Sequence, residues 1–211
     1  NLLEAISCLS LGKSFRVTGD KPLIQFTKPL FFIEANGETS KGNLKLSMAY
    51  DGSKKKVKVN GVEKRRLLDF IGHLQTVSFS PDDLSLVKEG RAERRRFLDT
   101  MLSQVSNRYR VQLTTYLKVI EQRNKLLKEK PPKLRELLAA WDVQLVQYAV
   151  EIWLMRYEAV KRIEELSVDF FKEVTDSSFD LSLTFKPSTD DEYFEITEDT
   201  TREELQQMLM S

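Results

Sequence analysis

Two hydrophobic periods alternate along this chain. Leu2, Leu3, Ile6 and Leu9 recur at helical spacing over residues 1–11, and Gly12 follows as a helix-ending glycine. From 14 to 80 the texture changes to short β-like runs. Residues 23–26, 30–33, 44–48, 55–59 and 73–79 are rich in β-branched, aromatic or alternating residues. Asp20, Asn36-Gly37, Gly42-Asn43, Asp51-Gly52 and Asn60-Gly61 punctuate them. Asp51-Gly52 and Asn60-Gly61 suit tight turns, because Asn and Gly tolerate positive φ.

After residue 80 the period returns to helical. Ser80-Pro81-Asp82-Asp83 combines a capping serine, a first-position proline and acids at the positive end of the dipole. Helices are predicted at 81–88, 91–103 and 106–129, where Lys130-Pro131-Pro132 breaks the pattern. A long helix follows from about 133 to the mid-160s or beyond. Its apolar stripe runs Leu134, Leu137 or Leu138, Trp141, Leu145, Tyr148, Ile152, Met155, Ala159, Ile163, Leu166, Phe170. The short break at the two prolines requires the flanking helices to pack antiparallel. Strands are predicted again at 179–185 and 193–196, and a last helix from Thr200.

This order describes an α+β chain in which a helical hairpin is inserted into a strand-containing domain. Residues 1–6 are already in full helical rhythm with no cap before them, so the chain is expected to begin inside an element.

Composition narrows the chemistry. The 33 Lys+Arg against 32 Asp+Glu give a net charge of 33 − 32 = +1, so any nucleic-acid signal must be local. The longest stretch free of Asp, Glu, Lys and Arg is 70–81, far short of the ~20 apolar residues of a spanning helix. Cys8 is the only cysteine and His73 the only histidine. This fits a reducing compartment and argues against a disulfide scaffold, a zinc site and a Cys/His or Ser/His pair.

Several segments invite a chemical reading. Gly12-Lys13-Ser14 has the look of a phosphate-loop ending, but Ser7 stands where that motif needs glycine. A helix also precedes it where a strand is required. Lys54, Lys55, Lys56, Lys58, Lys64, Arg65 and Arg66 form a basic cluster opposed by Glu63. It suits phosphate-backbone contact, and more ordinarily a solvated edge strand whose lysines block aggregation. Arg91, Arg94, Arg95 and Arg96 with Lys88 form a second cluster, suited to phosphate or to pairing with Glu89, Glu93, Asp99 and Asp82 or Asp83. Residues 190–204 carry eight acids, the pattern of a solvated segment. Trp141, Tyr148, Trp153 and Tyr157 fall at helical spacing and suit packing. Left exposed, they would instead mark a helical protein-interaction module that makes no nucleic-acid contact.

Taken together in order, several segments resemble the RecF family of bacterial recombination mediators. These are FSPDDL at 79–84, LVKEG at 86–90, RRRFLD at 94–99, YLK at 116–118, QRN at 122–124, LLK at 126–128, Trp141-Asp142 and Gln144-Leu145. Upstream, NLLEAI at 1–6, GKS at 12–14, Arg16, Lys55-Lys56 and VNG at 59–61 also fit.

The resemblance implies an ABC-type ATPase head related to SMC proteins, carrying a helical lid. Residues 1–80 would be the N-terminal part of the head, 81–175 the lid, and 176–211 the return toward the head. It places the phosphate loop before Asn1 and the signature and Walker B motifs after Ser211, so this chain alone is expected to be inactive as an ATPase. It makes Arg16 a nucleotide-proximal candidate. Lys54, Lys55, Lys56, Lys58, Lys64, Arg65, Arg66, Arg94 and Arg95 become candidates for DNA contact. For the intact protein it implies ATP and Mg²⁺, an ATP-dependent homodimer, and DNA binding at single-strand/double-strand junctions. It further implies RecA loading with RecO and RecR in DNA replication, repair and the SOS response, in the cytoplasm.

Overall fold

The computed structural model describes residues 2–40, 42–79, 81–176, 179–187 and 194–210. The chain divides into two compact units, Asn1–Asn107 and Arg108–Ser211.

In the first unit, helix α1 (Leu2–Leu11) leads to a four-stranded antiparallel meander. Its strands are β1 (Phe31–Thr39), β2 (Gly42–Tyr50), β3 (Lys55–Val59) and β4 (Val62–Lys64). Alternation sets the register. Ile33 faces Met48, which faces Val57, and Ala35 faces Leu46, which faces Val59. These residues turn one side of the sheet onto a core completed by Cys8 and Leu9 of α1 and by Phe70.

The β3–β4 turn is Asn60-Gly61, both at positive φ (49° and 81°), as a two-residue turn of matching twist demands. Asn60 does more than turn the chain. Its N–H donates to the Lys45 carbonyl at 2.8 Å, its Oδ1 accepts from the Lys45 N–H at 2.7 Å, and its Nδ2 reaches the Asn43 carbonyl at 3.3 Å. The side chain thus extends the sheet ladder beyond the end of β3.

Two predicted strands of this unit do not form. At 23–26, Pro22 fixes a single 3₁₀ turn at Lys21–Leu23, and the chain turns again where the Lys28 N–H bonds the Gln25 carbonyl. Leu23 and Ile24 still pack on the core. Residues 73–79 find no partner edge among the described strands, and Val77 and Phe79 stand exposed. Their first part is held by α3 (Arg91–Val105). The Gln104 Oε1 accepts from the Thr76 N–H at 2.8 Å, while Ser10 Oγ lies 2.9 Å from the same oxygen.

The helix expected over 81–88 is instead a 3₁₀ turn, Pro81–Leu84, followed by α2 (Ser85–Lys88). Ser80, its expected cap, lies outside the described residues.

The second unit is built on α4 (Asn107–Glu129) and α5 (Leu134–Val174), joined through Pro131-Pro132. Lys130 and Lys133 on either side adopt positive φ (47° and 62°), which reverses the chain. Antiparallel pairing follows: Arg123 Nε bonds Asp142 Oδ1 at 2.6 Å, and Arg108 bonds Glu151 at 2.6 Å. At 41 residues, α5 is about 60 Å long at ~1.5 Å per residue.

The buried face of α5 lies beside the stripe read from sequence. Val146, Ala149, Val150, Trp153 and Arg156 are buried together with Ile152. The reason is a second cover: Phe185, Ile196 and α6 (Arg202–Met210) pack against Val146, Val150 and Trp153. The expected strand at 179–185 makes no ladder. Besides the packing of Phe185, its described hydrogen bond is the Leu183 N–H on Glu164 Oε1 at 3.1 Å. In the expected strand 193–196, Tyr193 lies outside the described residues and 194–196 are not paired. Helix α6 starts where Thr201 and Glu204 form a reciprocal capping box, with N–H to side-chain distances of 2.8 and 3.2 Å. Hydrogen bonding from Thr201, its backbone N–H foremost, holds the Glu204 carboxyl below its ordinary pKa. The α+β class read from the sequence is the class observed.

Candidate functional site

The first basic cluster is sorted by the two-residue period of β3. Val57 and Val59 face the core, so Lys56 and Lys58 face outward and are exposed. Lys58 stands opposite Ser47 on one side and Glu63 on the other, and Lys56 stands opposite Ala49. On the same outer face Lys45 pairs with Glu34 at 3.0 Å. Lys54 is exposed in the β2–β3 turn. That turn is fixed by Asp51, whose Oδ1 accepts from the Ser53 N–H and Oγ at 2.9 Å and from the Lys54 N–H at 2.7 Å. The backbone bonds, that to Lys54 foremost, lower its pKa to about 2.

The rest of the cluster scatters. Lys64 pairs with Val57 on the core-facing side and is half-buried, while Arg65 is exposed. Arg66 forks onto Asp69, with Nε to Oδ2 at 3.1 Å and Nη2 to Oδ1 at 2.8 Å.

Lys55 departs furthest from the sequence expectation. Its Nζ lies 2.8 Å from Asp20 Oδ1 and donates to the Gly12 carbonyl at 2.7 Å. Lys55 is in phase with Val57 and Val59, so strict alternation was the signal that set it apart from Lys56 and Lys58. Asp20, its partner, carries only the signal of a break between strands.

Arg16 is exposed on the loop between α1 and the 3₁₀ turn. With Glu4, Lys28, Pro22, Leu30 and Phe31 it lines an open groove of about 620 Å³. Beneath the loop Ser14 Oγ donates to Glu4 Oε1 at 2.6 Å and accepts from the Arg16 N–H at 3.0 Å. The Ser14 hydroxyl is therefore engaged by a carboxylate, an arrangement that repels a phosphate. Gly12, at φ 73°, closes α1 with its N–H on the Cys8 carbonyl at 2.9 Å. So Gly12-Lys13-Ser14 ends a helix, where a phosphate loop would begin one. Burial, and secondarily Glu4, push the Cys8 thiol pKa up, away from reactivity.

In the second cluster Arg94 is a structural cap. Its Nε donates to the Leu86 carbonyl at 3.1 Å and its Nη2 to the Val87 carbonyl at 3.4 Å, satisfying the C-terminal end of α2. Arg96 pairs with Glu93 at 2.5 Å. Arg91 and Arg95 are exposed.

In the second unit Trp153 is 8% exposed, and Trp141, Tyr148 and Tyr157 are half-buried. The aromatic stripe is packing, and the interaction-module alternative loses its basis. Glu151 joins Arg108 of α4 and Arg202 of α6, tying three helices together. No helix is long and apolar enough to cross a membrane among the described residues. No group of three or more His, Cys, Asp or Glu side chains among them is placed to hold a metal ion.

No family model matches the chain. It is 40% identical over 190 residues to the DNA replication and repair protein RecF of Halalkalibacterium halodurans, covering 89% of this chain and 51% of that protein. It is 39% identical over 191 residues to RecF of Shouchella clausii, with 89% and 51% covered. The RecF of Staphylococcus carnosus is 37% identical over 191 residues. Among solved structures, the recombination mediator protein RecF-ATP in the RecFOR pathway matches with a TM-score of 0.88 and 29% identity. That match covers 99% of this chain and 56% of the solved chain. The chain spans about half the length of the curated relatives it matches. Across that half, in sequence and in fold, the chain belongs with the RecF proteins.

Proposed function

We propose that residues 1–211 act within a RecF-type ABC ATPase that binds ATP and DNA in replication and repair. The observation that carries this is the match of 99% of the chain, at a TM-score of 0.88, to a RecF described with ATP in the RecFOR pathway. In this proposal residues 1–80 contribute to the ATPase head, 81–175 form a helical lid, and 176–211 return toward the head. The intact protein dimerises on ATP, binds single-strand/double-strand junctions, and supports RecA loading with RecO and RecR in the cytoplasm.

The residues present fit one part of the nucleotide role. Arg16 presents a permanently charged guanidinium from an exposed loop, suited to an anionic phosphate. Bound ATP with Mg²⁺ would supply the phosphoryl chemistry. Gly12-Lys13-Ser14 does not fit the phosphate loop, because Glu4 occupies its hydroxyl. For DNA, Lys54, Lys56 and Lys58 fit the phosphate backbone by charge and exposure. Arg65 and Arg95 are exposed and remain candidates, while Lys55, Arg66 and Arg94 are engaged within the protein.

The test is a chimera in which this chain replaces the matching half of a characterised RecF. It should bind junction DNA in an ATP-dependent way. A folded chimera that binds neither ATP nor DNA would overturn the proposal.

A further inference from the structure

Residues 13–19 make no main-chain to main-chain hydrogen bond among the described residues. The loop that presents Arg16 therefore takes its shape from side chains. Lys55 on β3 ties its two ends together. One ammonium bonds the Gly12 carbonyl at the start of the loop and the Asp20 carboxylate at its end, at 2.7 and 2.8 Å. The two charged side chains are only 21% and 19% exposed, so water competes weakly for this pair. Midway, Ser14 Oγ takes the N–H groups of Arg16 and Val17 at 3.0 and 3.3 Å and is itself anchored on Glu4 of α1 at 2.6 Å.

From this geometry we infer that Lys55 is a positioning residue, one that sets the conformation of the Arg16 loop and makes no contact with DNA. The inference rests on the proposed nucleotide role of Arg16 only for its consequence in ATP turnover. The clamp itself is a statement about the loop. A compact ammonium suits it, because two acceptors converge on one nitrogen where a guanidinium fork would spread them.

The experiment uses the longer RecF-type protein that carries these residues, with Lys55→Met, Lys55→Arg, Asp20→Asn and Arg16→Ala variants. Hydrogen exchange of the Arg16 and Val17 amides, which bond Ser14 Oγ, should speed up about tenfold or more in Lys55→Met and Asp20→Asn. Lys55→Arg should restore part of the protection. ATP turnover in Lys55→Met should fall in the same direction as in Arg16→Ala, and the double variant should be no worse than Arg16→Ala alone. The salt slope of DNA binding should stay at the parent value.

Unchanged exchange at Arg16 and Val17 together with a flattened salt slope in Lys55→Met would overturn the inference and return Lys55 to the DNA-facing set. If Arg16→Ala leaves turnover intact, the nucleotide reading of Arg16 falls, and faster loop exchange still supports the clamp. Should Lys55→Met fail to fold, Asp20→Asn cuts the same pair from the loop side.

Discussion

Lys55 closes on Asp20 at 2.8 Å, on the opposite side of β3 from Lys56 and Lys58. One run of lysines thus divides between two faces of the strand. In the proposed reading the inward lysine organises a loop, while the outward ones meet the DNA backbone.

The division predicts how DNA binding responds to charge. Each phosphate contact contributes a slope of about 0.9 to the salt dependence. Replacing Lys54, Lys56 and Lys58 together by Gln in the RecF-type protein should flatten log K against log salt by roughly 2 to 3. Titrations at several salt concentrations read this directly, and a parent-like slope in the triple variant would remove the outer sheet face from the DNA surface.

Gly12 should resist substitution for two reasons at once. Its φ is 73°, and a Cβ placed there would lie 2.7 to 2.9 Å from three atoms of the Leu67 side chain. Gly12→Ala should cost about 1 to 3 kcal/mol in denaturant unfolding. Gly19, at φ 80° with open space around it, isolates the backbone part. Gly19→Ala should cost about 1 kcal/mol or less. Equal costs at the two sites would show that Leu67 gives way freely.

Acid should loosen the β2–β3 turn. The Asp51 carboxyl is lowered from 3.8 to about 2 by its bonds to Lys54 and Ser53. A lowered carboxyl pKa stabilises the fold fully above the unfolded value of 3.8, and that contribution fades as the pH falls toward about 2. An NMR titration should put the Asp51 midpoint near the lower value, and Asp51→Asn should remove the pH dependence. A midpoint at the ordinary carboxylate value would mean the turn bonds are not made in solution.

The core of the second unit should fail at Trp153. The side chain packs with Val146, Val150, Ile196 and Leu205. Trp153→Ala should destabilise by about 3 to 5 kcal/mol. A near-neutral result in thermal unfolding would mean the indole is dispensable to packing, and would revive a partner-facing role for the stripe.

Much of the secondary structure is legible in the sequence itself. The positions of β1 to β3 follow β-type composition and alternation and Asn60-Gly61 marks its own turn, but β1 and β2 run through the breaks expected at Asn36-Gly37 and Gly42-Asn43, which pair within the ladder. The α4–α5 hairpin follows from helical periods interrupted by Pro131-Pro132. These features are local, and local chemistry suffices for them. The strands expected at 23–26, 73–79 and 179–185 failed because a strand needs a neighbouring edge, which periodicity does not supply.

Residue types and their phase along each element were therefore settled by the sequence itself, and so was the likeness to RecF proteins. Partner choice was left to the tertiary structure. It alone brought Asp20 to Lys55, Glu4 to Ser14, and α6 onto Trp153. The physical reason is range. Periodicity reports which way a side chain points relative to its own element, while an ion pair or a buried contact depends on where a distant segment comes to rest.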